Sequence, residues 1–115
     1  MSDQDQLKLR IRQFADERDW QQYHSPKNLA MALIVEAAEL VEHFQWLTEE
    51  QSQTLVPEKL AQVGDELADI QIYLIRIADQ LKVDLLEAVD KKIEKNAVKY
   101  PADKVRGSAK KYNEL

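Results

Sequence analysis

The chain has 115 residues, 44% of them hydrophobic, no cysteine and a formal net charge of −5. That length suits one domain with one core, the apolar share excludes wholesale disorder, and the lack of cysteine excludes disulfides, zinc–thiolate sites and thiol nucleophiles. Only two glycines and three prolines interrupt it, which favours long helices over many short strands.

In chain order, Leu7, Ile11, Phe14 and Ala15 have helical spacing and predict a first helix over 4–19. Trp20 to His24 form a polar, aromatic connection. Ser25-Pro26 is a helix start, with serine as N-cap and proline at the first helical position, and the second helix is expected to reach Leu47. Thr48 and Gln51 make a capping box for a short turn or helix. Val56-Pro57 breaks the chain before a third long helix over 58–81, and Asp84 with Glu87 opens a fourth over 84–99, ended by Pro101. The tail, 101–115, is expected to be irregular and ordered by a ligand or partner. Four helices with short connections predict an all-α, antiparallel four-helix bundle in a single domain, 1–115. The second and third long helices are apolar nearly all round: Ile34, Val35, Val41 and Phe44 on one, Ile72 and Ile75 on the other. Helices of that kind are buried on all sides, so a homo-oligomer is expected.

The charge is unevenly spread. Residues 1–90 carry 8 basic and 18 acidic groups, and residues 91–115 carry 8 basic and 3 acidic. An acidic body argues against general nucleic-acid binding, which needs a broad basic surface. It suits a small polyanion held between a metal ion and lysines. Lys92, Lys95 and Lys99 form one stripe that fits a phosphate or a plain solvated face. No apolar run reaches the roughly 20 residues of a membrane span, and Met1 to Gln6 lack a signal-peptide pattern. A soluble, cytoplasmic protein is expected, with no nucleic acid and no membrane among its partners.

Two acidic pairs stand out within these helices. Glu36 and Glu39 share one helix face, as do Glu66 and Asp69. At about 100° per residue, Glu36 is flanked by Leu29, Leu33, Leu40 and Leu47, and Glu66 by Val63, Ile70, Tyr73 and Ile77. Burying a carboxylate costs several kcal/mol, and packing like charges together costs more. A divalent cation resolves both penalties. Magnesium binds through one or two carboxylates, waters and substrate phosphates, so the pattern points to a phosphate-handling metal site. A ferritin-like di-iron bundle needs E-x-x-H pairs, but Gln21 and Leu40 stand three residues before His24 and His43. A P-loop is excluded because the only glycines are Gly64 and Gly107. His43, one turn beyond Glu39, fits either a satisfied core histidine or a neighbour of the metal ligands.

The order E-x-x-E, 26 intervening residues, then E-x-x-D resembles the all-α MazG-like nucleoside triphosphate pyrophosphohydrolases. Phe14 to Trp20, Tyr23 to Leu29, Phe44-Gln45-Trp46, Tyr73, Lys92 to Pro101 and Arg106 to Tyr112 are similar to the dCTP pyrophosphatase branch. The resemblance implies cleavage of a nucleoside triphosphate between its α and β phosphates, with Mg²⁺ as cofactor and Mn²⁺ as a substitute. It also implies an intertwined oligomer, commonly a tetramer. By resemblance, Glu36, Glu39, Glu66 and Asp69 hold the metal and are the catalytic acids. Trp20 and Trp46 enclose the base, and His24, just before Ser25-Pro26, either contacts the substrate or packs at the cap. Tyr73, Lys92, Asn96 and Tyr100 meet the triphosphate or sugar, and Arg106 and Ser108 close the tail over it. Ile11 departs from the pattern. It stands where the animal enzymes of the branch carry a histidine near the base, which implies a wider choice of deoxynucleotide. The competing reading is a non-catalytic helical oligomer that binds nucleotide or protein; pure binding rarely needs four acids.

Overall fold

The computed structural model describes residues 1–114, so Leu115, the last residue of the expected domain, lies outside the described residues. The helices are α1 (Asp3–Glu17), α2 (Pro26–Glu42), α3 (Glu49–Ser52), α4 (Pro57–Leu81), α5 (Leu85–Lys99) and α6 (Ala102–Val105), with 3₁₀ turns at Gln21–Tyr23 and Tyr112–Glu114. The described residues contain no strand, so the chain is all-α. No described helix is long and apolar enough to cross a membrane. The chain divides into two units, Met1–Lys82 and Val83–Leu115.

In the first unit, local chemistry sets each helix end. Ser2 and Asp5 cap α1 reciprocally. The predicted end at residue 19 falls at Glu17 instead, because Asp19 turns left-handed with φ 53°. The N–H of Asp19 then donates to the Asp16 carbonyl at 3.1 Å and that of Trp20 to the Ala15 carbonyl at 2.9 Å. This is a Schellman motif, and its accompanying apolar contact is Trp20 set edge-on to Phe14, with ring centroids 5.7 Å apart. The Ser25 Oγ accepts from the Asn28 N–H at 3.1 Å to start α2, with Pro26 at the first position. Helix α2 stops at Glu42, short of the predicted Leu47. Its last turn tightens as the N–H groups of His43 and Phe44 reach the carbonyls of Leu40 and Val41, at 3.2 and 2.9 Å. Thr48 and Gln51 form the expected capping box on α3. Helix α4 starts on Pro57 and ends at Lys82, which takes the left-handed conformation with φ 59°.

Side-chain contacts fix the packing. His24 ahead of α2 meets Arg76, Glu36 meets Glu66, and His43 at the end of α2 meets Lys59 and Glu66. As α2 advances, its partners on α4 recede, so the two helices run antiparallel. This is the most extensive helix pairing, and α1 packs more lightly against α4. The buried apolar residues are Ala15, Leu29, Val63, Ile75 and Ala78. With them are two buried charged residues, Arg76 and Asp79. Arg12 grips Asp79 through both carboxylate oxygens, Nε to Oδ2 at 2.9 Å and Nη2 to Oδ1 at 2.6 Å. Arg76 Nη1 adds a bond to Asp79 Oδ2 at 3.4 Å, and its other nitrogens bond Gln21 Oε1 and His24 Nδ1. The clamp therefore ties α1, α4 and the Trp20–His24 connection together.

The second unit contains α5 and α6. Asp84 caps α5 through the Glu87 N–H at 3.1 Å, with only one of the two bonds of a capping box recorded. Pro101 ends α5 as expected. The tail has more helical structure than its sequence suggested. The Pro101 carbonyl accepts from Lys104 and Val105 at 2.9 and 3.1 Å, which starts α6, and Gly107 then turns left-handed with φ 76°.

Candidate metal centre

Helices α2 and α4 bring three of the four predicted ligands into one cluster. A carboxylate oxygen from each of Glu36, Glu39 and Glu66 lies within 4.8 Å of the others. All three side chains are half-buried. Glu36 Oε2 and Glu66 Oε2 are buried with no hydrogen-bond partner. An orphaned buried acceptor normally costs about 1–3 kcal/mol, and more when charged. Glu36 is pushed up to about 7, first by burial, then by its contacts with Glu66 and Glu39 and by the charges of Glu39 and Asp69. Asp69, the fourth predicted ligand, is exposed, and its field reaches both Glu36 and Tyr73. These residues fit a hard divalent cation: the donors are oxygens, they share one sign, and two of the oxygens are buried without a partner.

The other predicted site residues fall into three groups. Tyr73 stands one turn beyond Asp69. Its phenol is raised by burial first and then by Glu36, Asp69 and Glu39, which keeps the hydroxyl protonated and able to donate. The aromatic connection is held by the buried clamp. Trp20 is 41% exposed and packs on Phe14 and on His24, whose ring centroid is 6.0 Å away. His24 Nδ1 accepts from Arg76 Nε at 3.3 Å, and burial first, then Arg76, holds that imidazole below its ordinary value. His24, read from the sequence as a substrate contact or a packing residue at the cap, thus has an anchoring contact to Arg76. Trp46, beyond the tightened end of α2, is 88% exposed.

The third group lies in the second unit. Lys92, Asn96 and Tyr100 recur every four residues and so share one stripe of α5, and the Tyr100 N–H caps the helix on the Asn96 carbonyl at 2.8 Å. Arg106 and Ser108 flank Gly107 and are exposed. The Ser108 Oγ accepts from the Lys110 N–H at 3.2 Å. Ser108 also borders an open hollow of about 490 Å³ with Lys104, Lys110 and Glu114.

Sequence reasoning missed Arg76, Asp79 and Lys59. For the first two, a signal was present: they interrupt the apolar run of α4 at helical spacing, as Glu36 interrupts α2. Lys59 gave none, since one lysine near a helix start is common on surfaces.

Residues 31–115 match the MazG-like family. The chain belongs to that family. The chain is also similar to the dCTP pyrophosphatase 1 proteins of Mus musculus, 46% identical over 105 residues, and of Homo sapiens, 45% identical over 105 residues. Each alignment covers 90% of this chain, and the chain spans 62% of the length of those relatives. A solved pyrophosphatase from Archaeoglobus fulgidus DSM 4304 superposes with a TM-score of 0.83 at 38% identity, covering 88% of this chain and 94% of that one.

Proposed function

We propose that this chain is a Mg²⁺-dependent nucleotide pyrophosphohydrolase, converting a (deoxy)nucleoside triphosphate and water to the monophosphate and pyrophosphate. The observation that carries the reading is the cluster of Glu36, Glu39 and Glu66, with two buried oxygens lacking partners and Glu36 raised to about 7. The names of the relatives support the reaction class and bring dCTP forward as a substrate. Glu36, Glu39, Glu66 and Asp69 would hold the ion. When bound, it would neutralise phosphate charge and lower the pKa of an attacking water.

The chain's own residues supply the rest. A carboxylate oxygen of the cluster that the ion leaves free would take the proton from water. The Tyr73 hydroxyl donates to a phosphate or sugar oxygen. Trp20 and Trp46 offer flat apolar faces to a base, with His24 beside Trp20. Lys92, Asn96 and Tyr100 bind the triphosphate or sugar, and Arg106 and Ser108 close over it. Reactions of this type depend on positioning and charge neutralisation, roles that suit these side chains.

The reading includes a single domain, 1–115, forming an antiparallel four-helix bundle within an intertwined homotetramer in the cytoplasm. Exposed apolar side chains support the assembly. Met31, Ile34, Val35 and Val41 of α2 are 54–63% exposed, and Leu86, Val89, Ile93 and Val98 of α5 are 46–80% exposed. A second copy would cover such faces. Ile11 is half-buried on α1, and an apolar side chain near the base favours acceptance of several deoxynucleotides.

The test is a product assay with Mg²⁺ and each of the eight common nucleoside triphosphates, resolved by ion exchange. Monophosphate with pyrophosphate is expected. Diphosphate with orthophosphate would overturn the cleavage position, and no turnover with any substrate would overturn the enzymatic reading.

A further inference from the structure

Beside the carboxylate cluster lies a pair of residues that the proposed reaction does not use. His43 is the C-cap of α2 and Lys59 lies in the first turn of α4, both half-buried. Lys59 Nζ is 3.3 Å from His43 Nδ1. On the far side of the ring, His43 Nε2 faces Glu66 Oε1 at 4.0 Å. An ammonium has three donors and no acceptor, and a neutral imidazole has one nitrogen of each kind. Lys59 can therefore bond Nδ1 only as donor, which makes Nδ1 the acceptor and puts the ring proton on Nε2, toward Glu66.

The placement of Lys59 is costly for α4 itself. A helix N-terminus carries partial positive charge, and a cation in the first turn opposes it. Glu66 presents its two oxygens differently: Oε1 faces the imidazole, and Oε2 is the buried oxygen without a partner.

We propose that the Lys59–His43 pair is a positioning device for Glu66: the Nε2–H of His43 holds Oε1 in place, so that Oε2 is turned toward the cation. The proposal rests on the metal centre described above. At 4.0 Å the Nε2–H attracts Oε1 electrostatically. Outer partners of this kind fix the orientation of metal ligands, and their loss typically lowers metal affinity by 10–100-fold.

Two readouts test it on the full chain. The protein has only two histidines, His24 and His43, so a long-range ¹H–¹⁵N spectrum resolves both rings, and His43→Gln assigns them. Metal-free wild type is expected to show His43 with its proton fixed on Nε2, Lys59→Met an averaged pair of nitrogens, and Lys59→Arg the fixed form again. A proton on Nδ1 in the wild type overturns the proposal. The second readout is Mn²⁺ binding by electron paramagnetic resonance, with circular dichroism confirming helix content. Lys59→Met and His43→Phe are expected to weaken binding about tenfold. His43→Gln, whose amide can still donate to Glu66, is expected to retain most of the affinity. Wild-type binding unchanged by Lys59→Met and His43→Phe overturns the positioning role and leaves the metal centre standing. No Mn²⁺ binding by the wild type overturns the metal centre itself.

Discussion

Asp79 is the single carboxylate between two guanidinium groups, and Asp79→Asn removes its charge with little change in shape. Arg76 is 3% exposed and Asp79 8% exposed. Removing one partner of a buried ion pair costs about 3–5 kcal/mol, because the remaining charge stays desolvated. Two features reduce that figure. The Arg12 side chain is 39% exposed, so water and salt screen its share to below about 1 kcal/mol. Arg76 also keeps its bonds to Gln21 and His24. The expected loss is therefore about 2–3 kcal/mol, or a fall in Tm of roughly 10 °C for a domain of this size. Urea titration at matched protein concentration measures it, since association would otherwise shift the midpoint.

The pH dependence gives the prediction its sign. Bonding to Arg12, then the charges of Arg12, Arg76 and Lys82, hold Asp79 below its ordinary value of 3.8 despite burial. A carboxylate depressed in the folded state contributes stability above its unfolded pKa and loses it as the pH falls through the folded one. The gap between wild type and Asp79→Asn should thus be full at pH 7 and narrow below pH 3.8. A loss under about 0.5 kcal/mol at neutral pH, within the range of ordinary surface substitutions, would refute the clamp. So would a gap that persists unchanged in acid.

Three further outcomes follow from the site and the helix ends. Glu39→Gln and Asp69→Asn should each lower turnover by at least about 100-fold, beyond the usual effect of outer-shell changes, while circular dichroism stays unchanged; full activity in both would remove the metal assignment. Glu36 has a folded pKa raised from 4.5 to about 7, so its contribution is whole below 4.5 and lost as the pH rises through 7. The metal-free wild type should therefore lose stability across that window, and Glu36→Leu should not, becoming the more stable protein at pH 8. Thermal melts in chelator test this, and parallel pH profiles would contradict it. Lys82 holds a left-handed conformation with φ 59°. Lys82→Gly should add about 0.5 kcal/mol, the relief of strain being partly offset by glycine's larger unfolded-state entropy, and a lower urea midpoint would count against it.

The helices and the acidic pairs were legible in the sequence because period and capping are local. Ser25-Pro26, Thr48 with Gln51 and Val56-Pro57 each mark a start that the structure reproduces within a residue. Ends were read less well, because stops depend on backbone conformations that residue type only permits. Asp19 ends α1 by adopting a left-handed turn that asparagine, aspartate and glycine all tolerate. Nothing in Phe44 to Leu47 announces the tightened turn that cuts α2 short. Long-range pairings such as Arg12 with Asp79, or Lys59 with His43, cannot be read from one sequence, because the pattern of one helix does not say which residue of another faces it.

The same cue, a charged residue within an apolar stripe, marks both Glu36 and Asp79, and their surroundings separate the two roles. Asp79 has a guanidinium on either side and neither of its oxygens is left without a donor. Its charge is spent on joining α1 to α4, so its loss should be felt in stability. Glu36 faces the carboxylates of Glu39 and Glu66, keeps a buried oxygen without a donor, and is pushed toward neutrality rather than away from it. A protein gains no stability from that arrangement by itself; under the proposed function a bound cation would supply the compensating charge. The opposite surroundings of the two carboxylates predict opposite signs for the two substitutions: Asp79→Asn destabilises the metal-free protein, whereas Glu36→Leu stabilises it.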